Sequence, residues 1–134
     1  MRSRRAELPL KLRGPDGARS LFASCFAQCD PAEETVWVAH LDHRQYCLHL
    51  SRHKGDATGV DFPIRSIIAD AAQRGSVAIL LAHNHPSGDC RPSAADCRAT
   101  RRLVSAAEAL DCRVIDHLVF AGDDCASFRS LGLL

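Results

Sequence analysis

The chain reads as an α/β protein of the α+β kind, with a mixed β-sheet flanked by about three helices. Three features predict this. The stretch VAILLA, Val77 to Ala82, is apolar at every position, the pattern of a strand covered on both faces. TVWVAHL, Thr35 to Leu41, is rich in β-branched and aromatic residues, and the alternating segment that follows it after a short turn completes a hairpin. Apolar residues recur at helical spacing in three further stretches that separate or precede these strands.

Taken in order, residues 1–18 carry several arginines, Pro9 and the cluster Gly14-Pro15-Asp16-Gly17, which predicts a loose leader ahead of one domain over residues 19–134. Leu21, Phe22, Cys25, Phe26 and Cys29 then mark an amphipathic helix from Arg19 to Cys29, ended by Asp30-Pro31. After the strand at Thr35 to Leu41, residues Asp42 to Gln45 turn the chain into a second strand, Tyr46 to Ser51. A loop through Lys54, Gly55, Asp56 and Gly59 leads to Phe62-Pro63 and a helix carried by Ile64, Ile67, Ile68, Ala71 and Ala72, with Gly75 as its stop. Val77 to Ala82 is the centre of the sheet. A third helix begins after Ser93, with Ala99, Leu103, Ala106, Ala107 and Leu110 on one face. Arg113 to Phe120 is the next strand, Gly122 to Asp124 a turn, and Cys125 to Phe128 a short last strand.

Size and composition narrow the function classes. With 134 residues, 46% of them hydrophobic and 25% charged, the chain can bury a core without covalent staples. Its net charge of +1 supplies no overall field for nucleic acid, although fifteen of the seventeen basic residues are arginines. The basic start is not followed by the apolar stretch of a signal peptide, and the longest apolar run is far too short to span a bilayer, so the expected location is the cytoplasm, with no membrane association. Seven scattered cysteines with no C-x-x-C pair read as small apolar fillers in a reducing compartment rather than a zinc knot built on Cys25 and Cys29.

The chemistry concentrates in AHNHPSGDCRPSAAD, Ala82 to Asp96. Side chains at i and i+2 of an extended segment share a side, so His83 and His85, where the central strand runs out, can aim at one point. The Pro86-Ser87-Gly88 turn can bring Asp96 back to them from the first turn of the third helix. Two imidazoles and one carboxylate suit zinc and leave a position for water. The same letters support a plainer reading, in which Ser93-Ala94-Ala95-Asp96 is a capping box and the histidines flank a turn. Capping alone gives no reason for two histidines on one side of a strand mouth.

H-x-H, seven residues, S, two residues, D resembles the metal motif of the JAB/JAMM (MPN+) metalloprotease superfamily. AHNHPSGD followed by PSAAD is similar to its RadC branch, as are Leu41-Asp42, DHLVF at Asp116 to Phe120, and SFRSLGLL at Ser127 to Leu134. The resemblance runs from about Glu33 to the C-terminus. It implies a cytidine-deaminase-like JAB/MPN fold and one Zn2+ per chain held by His83, His85 and Asp96. It further implies Ser93 beside the metal water or the oxyanion, and an upstream glutamate as base. Glu33 and Glu34 both precede the first strand; Glu34 adjoins it and matches the family's distance to Leu41-Asp42. The implied activity is that of a zinc metallohydrolase cutting a peptide or isopeptide bond of a peptide or protein substrate. The alternative is a DNA-repair or recombination-associated accessory protein whose metal site is structural or vestigial.

Departures from the family pattern matter as well. Asn84 stands in the middle of H-x-H, where ubiquitin-cleaving relatives usually carry Ser or Thr. Longer members carry a helix-hairpin-helix region before this domain, for which the leader is too short. The stretch Gly55 to Arg65, expected to face substrate, matches only loosely. Elsewhere, His40, His43, His49 and His53 gather around the hairpin without a carboxylate at suitable spacing and read as solvent-facing or structural. His117, beside Asp116 in a strand, reads as making a local hydrogen bond, with a supporting role behind the metal as the alternative. Cys90 and Cys97 flank the metal loop but match no ligand position. Arg98, Arg101 and Arg102 read as a solvated basic face of the third helix.

Overall fold

The computed structural model describes residues 7–54 and 62–134. These described residues form a six-stranded mixed sheet and three helices. The strands are β1 (Leu10–Lys11), β2 (Thr35–Leu41), β3 (Tyr46–Lys54), β4 (Ala78–Asn84), β5 (Arg113–Ala121) and β6 (Asp124–Ser127). The helices are α1 (Gly14–Phe26), α2 (Ile64–Arg74) and α3 (Ala94–Glu108). Across the sheet the strands run β1-β3-β2-β4-β5-β6. All pairings are antiparallel except β4 with β5, which is parallel and joined through α3.

All seven residues of β4 are buried, which explains why VAILLA shows no alternation. Its two faces nevertheless feed separate cores. Ala78, Leu80 and Ala82 pack with Leu21 and Phe22 of α1, whereas Ile79 and Leu81 pack with Ile67 of α2 and Leu103 of α3. Each fully buried leucine or isoleucine contributes about 1.5–3 kcal/mol of transfer free energy, so two-sided covering anchors this strand most firmly in the sheet. The strand therefore forms a rigid stem for whatever its C-terminal end carries.

Several boundaries shift, each for a local reason. The first helix starts at Gly14, not Arg19, because Pro15 in its first turn has a φ suited to helix and lacks only an N–H that would go unused there. It ends at Phe26, and Gln28 and Cys29 donate to the carbonyls of Cys25 and Phe26 in a tightened turn. Leu10 and Lys11, expected in a loose leader, pair with Cys47 and Tyr46, and Leu12 is buried against α1. β3 runs three residues past Ser51, to Lys54, because β2 offers partners as far as Thr35. β4 continues past Ala82 to Asn84 because both neighbours pair with it that far, Val36 with His83 and Phe120 with Asn84. Gly75 ends α2 as expected, in a left-handed conformation at φ 62°. Most of the loop expected to face substrate lies outside the described residues, at 55–61.

Among the described residues no helix is long and apolar enough to cross a membrane.

Candidate metal centre

The extra two residues of β4 decide the position of the histidines. His83 is the last residue of β4 facing α2 and α3, and it is fully buried. His85 follows it off the strand end, held by its own backbone N–H, which donates to the Phe120 carbonyl at 2.8 Å. Asp96 arrives from α3. Ser93 caps that helix and forms a reciprocal box with Asp96: the Asp96 N–H donates to Ser93 Oγ at 3.0 Å and the Ser93 N–H donates to Asp96 Oδ2 at 2.9 Å. The capping box and the convergent cluster are thus one object, because the bond that caps the helix also orients the Asp96 carboxylate toward the histidines.

The ring nitrogens and carboxylate of His83, His85 and Asp96 lie within 4.8 Å of one another. His85 Nε2 stands 2.9 Å from Asp96 Oδ2 and 3.0 Å from His83 Nε2, and His83 Nε2 stands 3.4 Å from Asp96 Oδ1. The other nitrogen of His85, Nδ1, lies 2.7 Å from the Asp89 carbonyl. A carbonyl only accepts, so Nδ1 carries the proton and neutral His85 turns its Nε2 lone pair inward. Acceptors facing one another at such distances repel unless a cation or proton sits among them. The donor set therefore fits a metal ion. Burial alone would raise the Asp96 pKa, but His83, through the hydrogen bond and charge it brings when protonated, the Ser93 N–H and the charge of His85 when protonated outweigh it and hold the carboxyl well below the usual range.

Glu34, His85, Ser93 and Asp96 line one cleft of about 620 Å3. Glu33 is not among its lining residues. The sheet register explains the difference: Val36 pairs with His83, and continuing that register past the ladder sets Thr35 against Asn84 and Glu34 against His85. Successive strand residues face opposite ways, which gives Glu34 the side of His83 and Glu33 the other. Asn84 then locks this segment. Its Oδ1 accepts from the Thr35 N–H at 2.7 Å, and its Nδ2 donates to the Glu33 carbonyl at 2.9 Å, so one amide brackets both peptide units of Glu34. The sequence had marked Asn84 only as a departure. Its signal, a residue able to donate and accept at once beside a strand end, is visible only when β2 is laid against β4.

Behind His83 a second chain of polar contacts appears. His83 Nδ1 lies 2.6 Å from His117 Nε2, and His117 Nδ1 lies 2.8 Å from Thr100 Oγ1. His117 does not pair with the Asp116 side chain through its ring: Asp116 Oδ1 accepts the backbone N–H groups of His117 and Arg129. The ring is instead fully buried, stacked on Phe128 at 4.6 Å, and burial pushes its pKa well below the usual imidazole value. Thr100 was not singled out by sequence, although its place four residues after Asp96 sets it on the same face of α3.

The hairpin histidines form a different structure. His40 is buried, with Nδ1 2.8 Å from Ser76 Oγ and Nε2 3.1 Å from Ser51 Oγ and 3.2 Å from Asp70 of α2. His43 is exposed. Neither they nor any cysteine joins a metal-competent cluster among the described residues. Cys29 donates its thiol to the Cys25 carbonyl, and burial pushes the Cys25 and Cys47 thiols up to about 11, which suits the filler role. Arg98, Arg101 and Arg102 are exposed, as expected.

Comparison with known proteins agrees with this architecture. The profile of the RadC-like JAB domain matches residues 12–133. UPF0758 protein YfjY of Escherichia coli is 37% identical over 102 residues, covering 76% of this chain and 64% of that protein. A UPF0758 protein of Acidithiobacillus ferrooxidans is 36% identical over 104 residues, covering 77% of this chain and 46% of that protein. The matched region therefore spans about half to two thirds of the length of these relatives.

Proposed function

Because the chain belongs to the RadC-like JAB domain family, we propose that it is a zinc-dependent hydrolase of a peptide or isopeptide bond, with His83, His85 and Asp96 as the metal ligands. The observation that carries this reading is the convergence of two imidazole nitrogens and one carboxylate, with the outer nitrogen of His85 already committed to a carbonyl. Two nitrogens and one oxygen are a zinc donor set that leaves room for solvent. When bound, zinc lowers the pKa of water toward neutrality and polarises an amide carbonyl.

The residues of the chain supply the remaining steps. Glu34, in the same cleft, takes the proton of the attacking water and later delivers it to the leaving nitrogen. Ser93 spends its oxygen lone pair on the helix cap, which leaves its hydroxyl proton to donate to the oxyanion that develops on the carbonyl. Asp89 holds His85, and Asn84 holds the backbone on either side of Glu34. All seven cysteines are free thiols, which fits work in the reducing cytoplasm. The substrate in this reading is a peptide or protein chain.

Metal analysis of protein purified without added metal tests the proposal. We expect about one zinc per chain in the wild type, loss of zinc in His83→Ala, and in Glu34→Gln retention of zinc with loss of hydrolysis of peptide and isopeptide substrates. Wild-type protein that remains folded and metal-free when zinc is offered would refute it.

A further inference from the structure

The polar chain behind His83 closes on the cluster from which it starts. Thr100 Oγ1 lies 2.8 Å from the backbone carbonyl of Asp96 and 2.8 Å from His117 Nδ1. His117 Nε2 lies 2.6 Å from His83 Nδ1, and His83 Nε2 faces Asp96 again. The contacts link two members of the cluster, His83 and Asp96, through two residues that are not in it.

The direction of each bond follows from its end point. A carbonyl has no proton to give, so Thr100 donates its single hydroxyl proton to Asp96 and can only accept from His117. His117 therefore carries its proton on Nδ1 and presents a bare Nε2. His83 must then donate from Nδ1, and its Nε2 is left as a lone pair directed at Asp96 and His85. The opposite polarity would turn the Thr100 proton toward His117 and leave an N–H on His83 Nε2, pointing into the cluster and blocking a cation. We infer that Thr100 and His117 are positioning residues that hold His83 in its Nδ1–H form, so that the Asp96 helix itself dictates which nitrogen of His83 is offered to a ligand. The geometry leaves little freedom for another arrangement. Thr100, His83 and His117 are buried, and Phe62 and Phe128 both pack on the His117 ring, at 5.7 Å and 4.6 Å. This deepens the hydrolase reading and rests on it for the metal-affinity arm of the test alone.

The test uses the metal-free protein with 15N-labelled histidine at about pH 8, above the ordinary imidazole range, where the ring-nitrogen shifts report which nitrogen is protonated. The expected result is protonation at Nδ1 of both His83 and His117, with Nε2 bare in each. In Thr100→Val, which keeps side-chain volume but removes the hydroxyl, the shifts of both rings change together although Val contacts only one of them in the relay. Zinc affinity then falls about 10–100-fold, and Thr100→Ser restores both. Wild-type His83 protonated at Nε2 overturns the inference without any variant, so misfolding of Thr100→Val cannot shelter it. Unchanged shifts and zinc affinity in folded Thr100→Val overturn it as well. Correct protonation in a protein that binds no zinc would support the relay and refute the hydrolase reading, whereas zinc bound by a wild type with the reversed protonation would do the opposite.

Discussion

Replacing Asn84 with alanine removes both hydrogen bonds that bracket Glu34. Thr35 is only 2% exposed, so its N–H loses the Oδ1 acceptor at 2.7 Å in a place water does not reach. Leaving such a donor unsatisfied costs about 1–3 kcal/mol. The Glu33 carbonyl belongs to an exposed residue and can turn to water, so its lost bond adds little. With a urea slope of about 1.5 kcal/mol/M for a domain of this size, the midpoint of unfolding should drop by roughly 0.7–2 M. Zinc affinity should be nearly unchanged, since the Asn84 side chain bonds to the Thr35 N–H and the Glu33 carbonyl and not to His83, His85 or Asp96, while hydrolysis falls because the backbone carrying Glu34 is released. Asn84→Asp refines the test. Its carboxyl keeps an acceptor for Thr35 but sets a second oxygen against the Glu33 carbonyl, so it is favoured protonated and its folded pKa is raised. Relative to wild type, that variant should be most stable below pH about 4 and lose ground as pH rises through the raised value. A urea midpoint equal to wild type in Asn84→Ala, or a loss of zinc as large as the loss of hydrolysis, would refute the bracket as a device for Glu34.

Two further expectations concern protons and metal. Burial lowers the His40 pKa to about 4, with the Asp70 charge opposing it, so the unfolded chain binds a proton that the folded one refuses between pH 6.5 and 4. The stability this confers is complete above pH 6.5 and is lost as pH falls, by about 3 kcal/mol at most. Urea unfolding of wild type and His40→Gln at several pH values should therefore converge on acidification, and parallel curves would contradict it. His117 shifts in the same direction but is common to both proteins, so the difference isolates His40. Zinc at a hundred times its dissociation constant should stabilise the wild type by about 2.7 kcal/mol, roughly 10 °C in Tm. A chelator or His85→Ala should abolish that rise in a thermal melt.

Much of the fold was legible because hydrophobic period is a local property. The buried run of β4, the β-branched run of β2 and the spaced apolar residues of α2 and α3 are written in consecutive letters and survive into the sheet and helices. The first helix begins earlier than its apolar spacing predicts because a Gly-Pro-Asp-Gly cluster serves a turn and a helix beginning equally well; what decides is whether the residues after it find a core, and Ala18, Leu21 and Phe22 do. The hairpin histidines show what spacing leaves out. His40 is structural, as expected, but its carboxylate partner is Asp70, thirty residues on and delivered by α2.

The sequence by itself determined the H-x-H strand mouth, the Ser93-Asp96 cap and the choice of Glu34 over Glu33 as the candidate base, since each depends on spacing within one segment. Tertiary structure alone decided that the cap and the cluster share Asp96, that Glu34 lines one cleft with His85 and Asp96, that Asn84 brackets it, and that Thr100 links His117 to the Asp96 helix behind His83. The physical reason is common to all four. Each is a relation across a sheet register or a helix packed on a strand, between groups that strand pairing and two buried cores bring together, and no local period in the chain records which distant residues those will be.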